Sequence, residues 1–242
     1  RGVDHFVGVV GVGPLAGPVV AAAVVFPPDT ELPGIDDSKR LDATQREAAA
    51  EAIRARASGI GVGIAEVAEV DTLNVYQAAL TAMRRAVDAL PEPPEHILVD
   101  ARTIPGLEQP QNPFNKGDGI NFSIAAASIL AKCHRDALMV AMDAEYPGYG
   151  FARHKGYGTA AHQQAIRELG PCPLHRRSFP FIRELRGEYC TAFYALRERL
   201  DQATTVAALR EVERAVSGAA DGLEEFEARK LKTLISRRWK TL

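Results

Sequence analysis

Near the start of the chain two runs of apolar, mostly β-branched or small residues follow one another, Phe6 to Val12 and Gly17 to Phe26, with Gly13-Pro14-Leu15-Ala16 between them. A strand with one wet face alternates polar and apolar side chains, whereas an unbroken apolar run is the pattern of a strand buried within a sheet. The two runs read as buried strands joined by a tight Gly-Pro-Leu-Ala-Gly turn. Beyond Phe26, helix and strand signals are mixed. Asp42-Ala43-Thr44-Gln45 has the form of a capping box and opens a helix through about Ala57. Gly59 to Ala65 reads as a third strand, and Leu73, Gln77, Leu80, Met83 and Val87 keep helical spacing within one helix from about Val70 to Leu90. Pro91-Glu92-Pro93-Pro94 stops that helix. His96 to Asp100 is then a short buried strand ending in a carboxylate, and Asn121 to Tyr146 a long alanine-rich helix. Arg153 to Thr159 reads as a glycine-containing loop, and Ala161 to Leu169 as a further helix.

After Pro180 the pattern becomes all helical. Leu185, Tyr189, Phe193, Leu196 and Leu200 are spaced for one amphipathic helix, Leu209, Val212 and Val216 for a second, and Leu223 to Trp239 for a third after a break at Ser217-Gly218. The sequence thus divides into an α/β domain over residues 1–180 and a helical extension over 181–242.

With 46% apolar and 25% charged residues, the chain has the balance of a globular protein with ample material for a core. The apolar stretch around Val19 to Phe26 is flanked by Gly and Pro and too short to span a bilayer, so no membrane association is expected. The first residue is Arg1 rather than Met, as in a fragment or a trimmed chain. Cys133, Cys172 and Cys190 are widely spaced and form no C-x-x-C, a pattern of neither a disulfide framework nor a zinc site; a reducing cytoplasm is the expected location. The net charge of −2 hides an uneven distribution. Arg229, Lys230, Lys232, Arg237, Arg238 and Lys240 fall within the last 14 residues, with Trp239 among them, and His175-Arg176-Arg177 is a second basic stretch. Nucleic acid follows local patches of charge, although a basic cluster is more often a solvated helix face.

Several residues could carry chemistry. Asp100 at a strand end and Asp136 on the long helix could share a hard cation such as Mg²⁺; on spacing alone both read more simply as solvated or capped aspartates. Ser38 and Lys39 in Asp37-Ser38-Lys39, and Lys116 in Lys116-Gly117-Asp118, precede helices where an anion is favoured, although each reads more simply as part of a solvated turn. Tyr157, between two glycines in His154-Lys155-Gly156-Tyr157-Gly158-Thr159, is placed to stack on a sugar or base or to serve the loop's own structure.

Taken together, these segments resemble the bacterial type 2 ribonucleases H, the ribonuclease HII family. The stretches that carry the resemblance are Gly13 to Val24, Asp36-Asp37-Ser38-Lys39-Arg40-Leu41, Leu73 to Met83, Lys116-Gly117-Asp118, Ser123 to Lys132, Tyr146 to Phe151, His154 to Thr159 and His175 to Phe179. They run in family order over about 1–180 and leave the helical extension uncovered. The resemblance implies a ribonuclease H-like sheet, three antiparallel strands extended by parallel ones and flanked by helices. It also implies hydrolysis 5′ to a ribonucleotide in duplex DNA, or within RNA–DNA hybrids, by two divalent ions held by four carboxylates.

The family's first strand reads Gly-x-Asp-Glu-x-Gly-Arg-Gly-Pro. Anchored on Gly13-Pro14, its Asp falls at Gly8, its Glu at Val9 and its Arg at Val12, while Asp100 and Asp136 match the third and fourth carboxylates. Asp4 lies four residues upstream of Gly8, about 13 Å along a strand, too far to bridge the same ion pair. Mg²⁺ or Mn²⁺ binding through Asp100 and Asp136 is therefore expected to be weak or absent. By resemblance the substrate-facing set persists in Gly11, Val12, Gly13, Lys39, Lys116, Tyr157 and Arg177. The expectation is a protein that binds RNA–DNA hybrid or ribonucleotide-containing duplex with little or no hydrolysis. Two alternatives are an active metal-dependent endoribonuclease with a rearranged site, and a scaffold whose residues 181–242 dock a protein partner.

Overall fold

The structure is a computed structural model of the 242-residue chain. It describes residues 4–28, 30–32, 41–100, 103–114, 122–218 and 222–241, with Asp4, His5, Asp100, Phe122 and Ser123 described by their backbone alone. Two compact units divide it, Arg1–Phe179 and Pro180–Leu242.

The first unit is built on five strands: β1 (Asp4–Val10), β2 (Val19–Val25), β3 (Gly59–Ala65), β4 (His96–Asp100) and β5 (Gln111–Phe114). Their order is β3-β2-β1-β4-β5, with β1 antiparallel to β2, β2 antiparallel to β3, and the β1–β4 and β4–β5 pairs parallel. This is the mixed sheet that the sequence leads one to expect. Every residue of β2 is buried, because Val19, Ala21, Ala23 and Val25 face one apolar layer while Val20, Ala22 and Val24 face the other. β5 has no periodic signature in the sequence; it carries Pro113 and sits at the sheet edge, where a missing N–H is tolerated.

The helices of this unit are α1 (Ala43–Arg56), α2 (Val67–Leu73), α3 (Val75–Asp88), α4 (Phe122–Glu145), α5 (Phe151–His154) and α6 (Ala160–Leu169). α1 begins with the capping box, the Asp42 side chain accepting from Gln45 N and Gln45 closing back on Asp42 N. The single helix expected from Val70 to Leu90 is two. Asn74, at φ +70°, accepts from Tyr76 N and Gln77 N through its side chain and so starts α3 afresh, leaving Leu73 exposed. α3 lies on β3 through small residues. A Cβ on Gly61 would come 2.0 Å from Ala86 O, and one on Gly63 2.0 Å from Ala82 O, so this strand is glycine-rich on the face the helix covers. α4 covers the other face of the sheet through Ile124, Ala126, Ala127, Ile129, Leu130 and Ala131.

The second unit is α7 (Pro180–Leu185), α8 (Thr191–Gln202), α9 (Val206–Gly218) and α10 (Glu225–Trp239). The helix expected from Leu185 to Leu200 is interrupted: α7 ends at Leu185, Gly187 takes φ +68°, and Cys190 caps α8. Phe193, Leu196, Leu200, Leu209, Val212, Val216, Leu231 and Ile235 form a core of their own, so the apolar stripes of α8, α9 and α10 bury one another. Among the described residues no helix is long and apolar enough to cross a membrane.

Candidate functional site

Three loops of the first unit are stitched together where β1 ends: Gly11 to Pro18, Lys155 to Thr159, and Cys172 to Arg176. Gly156 O accepts from Leu15 N at 2.8 Å and from Ala16 N at 3.3 Å, Gly17 N donates to Leu174 O at 2.9 Å, and Arg176 N donates to Leu15 O at 2.9 Å. Ala16 and His175 also form a β-bridge. Two buried arginines hold the carbonyls of the first loop. Arg135 of α4 donates to Pro18 O, Ala16 O and Lys155 O, each at 2.9 Å. Arg176 donates to Gly17 O from two nitrogens at 3.0 and 2.8 Å, to Val12 O at 3.0 Å, to Gly11 O at 2.5 Å and to Pro18 O at 3.3 Å. Burial lowers both guanidinium pKa values; Arg176 falls to about 9, which leaves it charged at neutral pH. Gly11 sits at φ +91°, and a Cβ there would fall 2.5 Å from Arg135 Nε, so only glycine fits under the arginine.

The loop therefore turns its tip outward. Val12 and Gly13 are exposed, and a Cβ on Gly13 would meet nothing within 4 Å. In the second of these loops Tyr157 is 42% exposed, with Lys132 Nζ 5.5 Å and Arg135 Cζ 5.9 Å from its ring centroid. Arg177 is also exposed, and its backbone N donates to Asp71 Oδ2 at 2.9 Å. The basic stretch His175-Arg176-Arg177 is not one solvated patch: His175 and Arg176 are 1% and 0% exposed, because their side chains serve the loops rather than the surface. Lys39 and Lys116, with Ser38, Asp36, Asp37 and Asp118, lie outside the described residues.

On the carboxylate side, Val7 pairs with Val99 in the parallel β1–β4 ladder, so Gly8 and Asp100 follow at the same level. A Cβ on Gly8 would stand 2.5 Å from Ser128 Oγ, 2.7 Å from Ser128 N and 3.1 Å from Ser128 Cα, so α4 rests directly on the strand backbone. Val9 is half-buried against the layer that α3 covers. Asp136 on α4 accepts from Lys132 Nζ and lies 3.8 Å from Arg46 Nη1.

A family model described as Ribonuclease HII matches residues 2–181. The chain belongs to the ribonuclease HII family. A ribonuclease HII of Myxococcus xanthus is 55% identical over 190 residues, covering 77% of this chain and 65% of the relative, and one of Anaeromyxobacter is 56% identical over 177 residues, covering 73% and 56%. The matched stretch thus spans less than two-thirds of those two relatives. It spans 83% of the ribonuclease HII of Syntrophotalea carbinolica, 56% identical over 174 residues and 72% of this chain. Among solved structures, the ribonuclease H2 of Pyrococcus horikoshii aligns at TM-score 0.62 with 21% identity over 77% of this chain and 98% of that one. The ribonuclease HII solved in a PCNA complex from Archaeoglobus fulgidus aligns at 0.61 with 21% identity, covering 72% and 93%. These likenesses establish the ribonuclease H-like fold.

The two divalent ions implied by the resemblance to ribonuclease HII need several anionic oxygens close together. Gly8 and Val9 offer no side-chain oxygen, the Asp100 side chain lies outside the described residues, and Asp136 is already matched by an ammonium and a guanidinium. Among the described residues no group of three or more His, Cys, Asp and Glu is placed to hold a metal ion. The donors described do not fit a two-ion centre.

Sequence reasoning missed Arg135, Arg176 and Lys132 as the groups that organise the loops and flank Tyr157. The usable signal was Gly11-Val12-Gly13-Pro14 and Gly17-Pro18 themselves: short turns without polar side chains leave carbonyls that some other group must satisfy. It also missed His162 and His175, both buried, whose Nε2 atoms are 3.1 Å apart. Burial pushes each imidazole down to about 4. These folded values lie below the unfolded value near 6.5, so the unfolded chain takes up protons first as pH falls. The stability tied to this pair is complete above about pH 6.5 and is lost toward about pH 4. At pH 5 the first unit should be less stable than at pH 7.5 by on the order of 4 kcal/mol, about 2 from each imidazole, read as a lower melting temperature. An unchanged melting temperature would show that the pair is not held neutral by burial.

Proposed function

We propose that this chain binds RNA–DNA hybrid or ribonucleotide-containing duplex DNA through the Gly11–Pro18 loop and Tyr157, with little or no hydrolysis. The observation that carries this reading is the contact between Gly8 and Ser128. At the position where the family resemblance puts a first-strand carboxylate, the helix lies at glycine distance from the strand, and Asp136 is neutralised by Lys132. On the binding side, the described part of the expected surface keeps groups that a nucleic acid could use. With the carbonyls of Gly11 and Val12 tied to Arg176, the amide edge of the exposed Val12–Gly13 tip is the one left for a 2′-hydroxyl or a phosphate. Tyr157 supplies an exposed aromatic side chain on which a base or sugar could stack. Mg²⁺ or Mn²⁺ binding would rest on Asp100 and Asp136 alone and be weak. The three free, scattered cysteines support a cytoplasmic setting.

The test is a DNA duplex carrying one ribonucleotide, incubated with excess protein in Mg²⁺ and in Mn²⁺, with Asp100→Ala in parallel. Retention of the duplex without cutting is expected, weakening steeply with salt. Tyr157→Ala should weaken retention roughly 5- to 100-fold, the scale of one lost base–aromatic stack. Metal-dependent cutting that disappears in Asp100→Ala would overturn the reading and assign the chain a rebuilt nuclease site.

A further inference from the structure

Behind Tyr157 lies a buried cluster that neither metal binding nor substrate contact uses. Cys172 N donates to His175 Nδ1 at 2.9 Å, so that nitrogen is an acceptor and His175 carries its proton on Nε2. His175 Nε2 then donates to His162 Nε2 across 3.1 Å, which leaves His162 Nδ1 as the donor to Tyr157 O at 2.9 Å. The hydrogen bonds run in one direction, from the Cys172 amide through two imidazoles to the carbonyl of the residue proposed to stack on the nucleotide. Tyr157 O also accepts from Thr159 N at 2.8 Å, so both its lone pairs are engaged.

The surroundings fix this arrangement. His154 of α5 stacks on His162 at 4.2 Å; its Nε2 donates to Tyr149 O at 2.7 Å and its Nδ1 faces Gly156 N. Phe151 stands edge-on to His162, Tyr149 packs against His175 at 5.0 Å, and Cys172 Sγ lies 3.1 Å from His175 Nδ1. The titratable groups facing the pair are thus His154, Tyr149 and Cys172; among the described residues no carboxylate joins them to favour a charged imidazole. A proton added at His162 Nε2 would set two N–H groups against each other.

We propose that His162 and His175 are positioning residues that hold the Tyr157 backbone through this relay and so set the angle at which its ring meets the duplex. The functional part of this inference rests on the duplex-binding reading; the positioning itself does not. The amide of Asn can reproduce an N–H at the imidazole Nδ1 position, whereas the longer amide of Gln reproduces only the Nε2 position. His162→Asn should therefore keep the bond to Tyr157 O and retain duplex affinity within about twofold, the change expected when a hydrogen bond is conserved. His162→Gln, although closer to His in volume, should lose about fivefold to tenfold. Combined with Tyr157→Ala it should add little to the loss from Tyr157→Ala alone, as expected for groups acting through one another.

The measurement is hydrogen exchange of the Gly156, Tyr157 and Gly158 amides in the full chain without nucleic acid, alongside retention of a ribonucleotide-containing duplex. Faster exchange in His162→Gln than in His162→Asn supports the relay. Equal exchange in the two variants, or additive losses with Tyr157→Ala, overturns it. Failure of the unchanged chain to retain the duplex overturns the duplex-binding reading instead, and the exchange comparison still decides the positioning role.

Discussion

Arg176→Met is expected to destabilise the first unit by roughly 3–5 kcal/mol, the range for removing one partner of a buried, charge-assisted hydrogen-bond set. The guanidinium serves Gly11 O, Val12 O, Gly17 O and Pro18 O. Pro18 O keeps Arg135 Nε as a donor, so the other three carbonyls lose the bond that Arg176 supplies. Met fills much of the volume and removes every donor, which separates hydrogen bonding from packing. Arg176→Lys keeps the charge, but one ammonium cannot reach carbonyls spread along a turn, and most of the loss should persist. Urea unfolding followed by far-UV circular dichroism would read both variants. A Met variant as stable as the parent would show that the arginine acts by filling space. Where the Lys variant still folds, duplex retention should fall with it, because the Val12–Gly13 tip owes its outward turn to the same bonds.

How far the sequence announces this architecture depends on the range of the interactions involved. The buried strands, the capping box at Asp42 and the long helix through Asp136 are local patterns, and each is where periodicity and turn chemistry put it. Errors arise where a single backbone choice cuts a periodic stretch. Asn74 restarts a helix inside an otherwise continuous apolar stripe, and Gly187 separates α7 from α8. The organisation of the site is of another kind. Arg176 reaches carbonyls some 160 positions earlier, and His162 meets His175 only because α6 and the Cys172–Arg176 loop both pack on Phe151. No spacing rule encodes such contacts. The exposure of Tyr157 is legible because an aromatic between two glycines has little apolar company, whereas Arg176 reads as surface charge because its neighbours in sequence are polar and its partners are backbone.

Gly8→Asp is expected to lower stability by more than about 3 kcal/mol and to restore no cutting, even when combined with Val9→Glu. The new Cβ would meet not only Ser128 Oγ but Ser128 N at 2.7 Å and Ser128 Cα at 3.1 Å, atoms that cannot rotate away. Relief requires α4 to lift from the strand, and α4 is held down by Ile124, Ile129 and Leu130 in the core and by Arg135 in the loops. The carboxylate would besides enter a buried position beside a helix backbone. Gly8→Ala isolates the steric part, roughly 1–3 kcal/mol for overpacking. Adding Ser128→Gly removes the Oγ contact but leaves the backbone ones, so it should recover only part of that loss. Thermal unfolding of these four variants and the cleavage assay together decide the matter. If Gly8→Asp with Val9→Glu melts like the parent and cuts in Mg²⁺, the helix is free to yield and the first strand lacks only its acids. If the variants melt early and stay inactive, the close seat of α4 on Gly8 is what separates this chain from a two-ion nuclease: restoring the residue types would then require moving a helix.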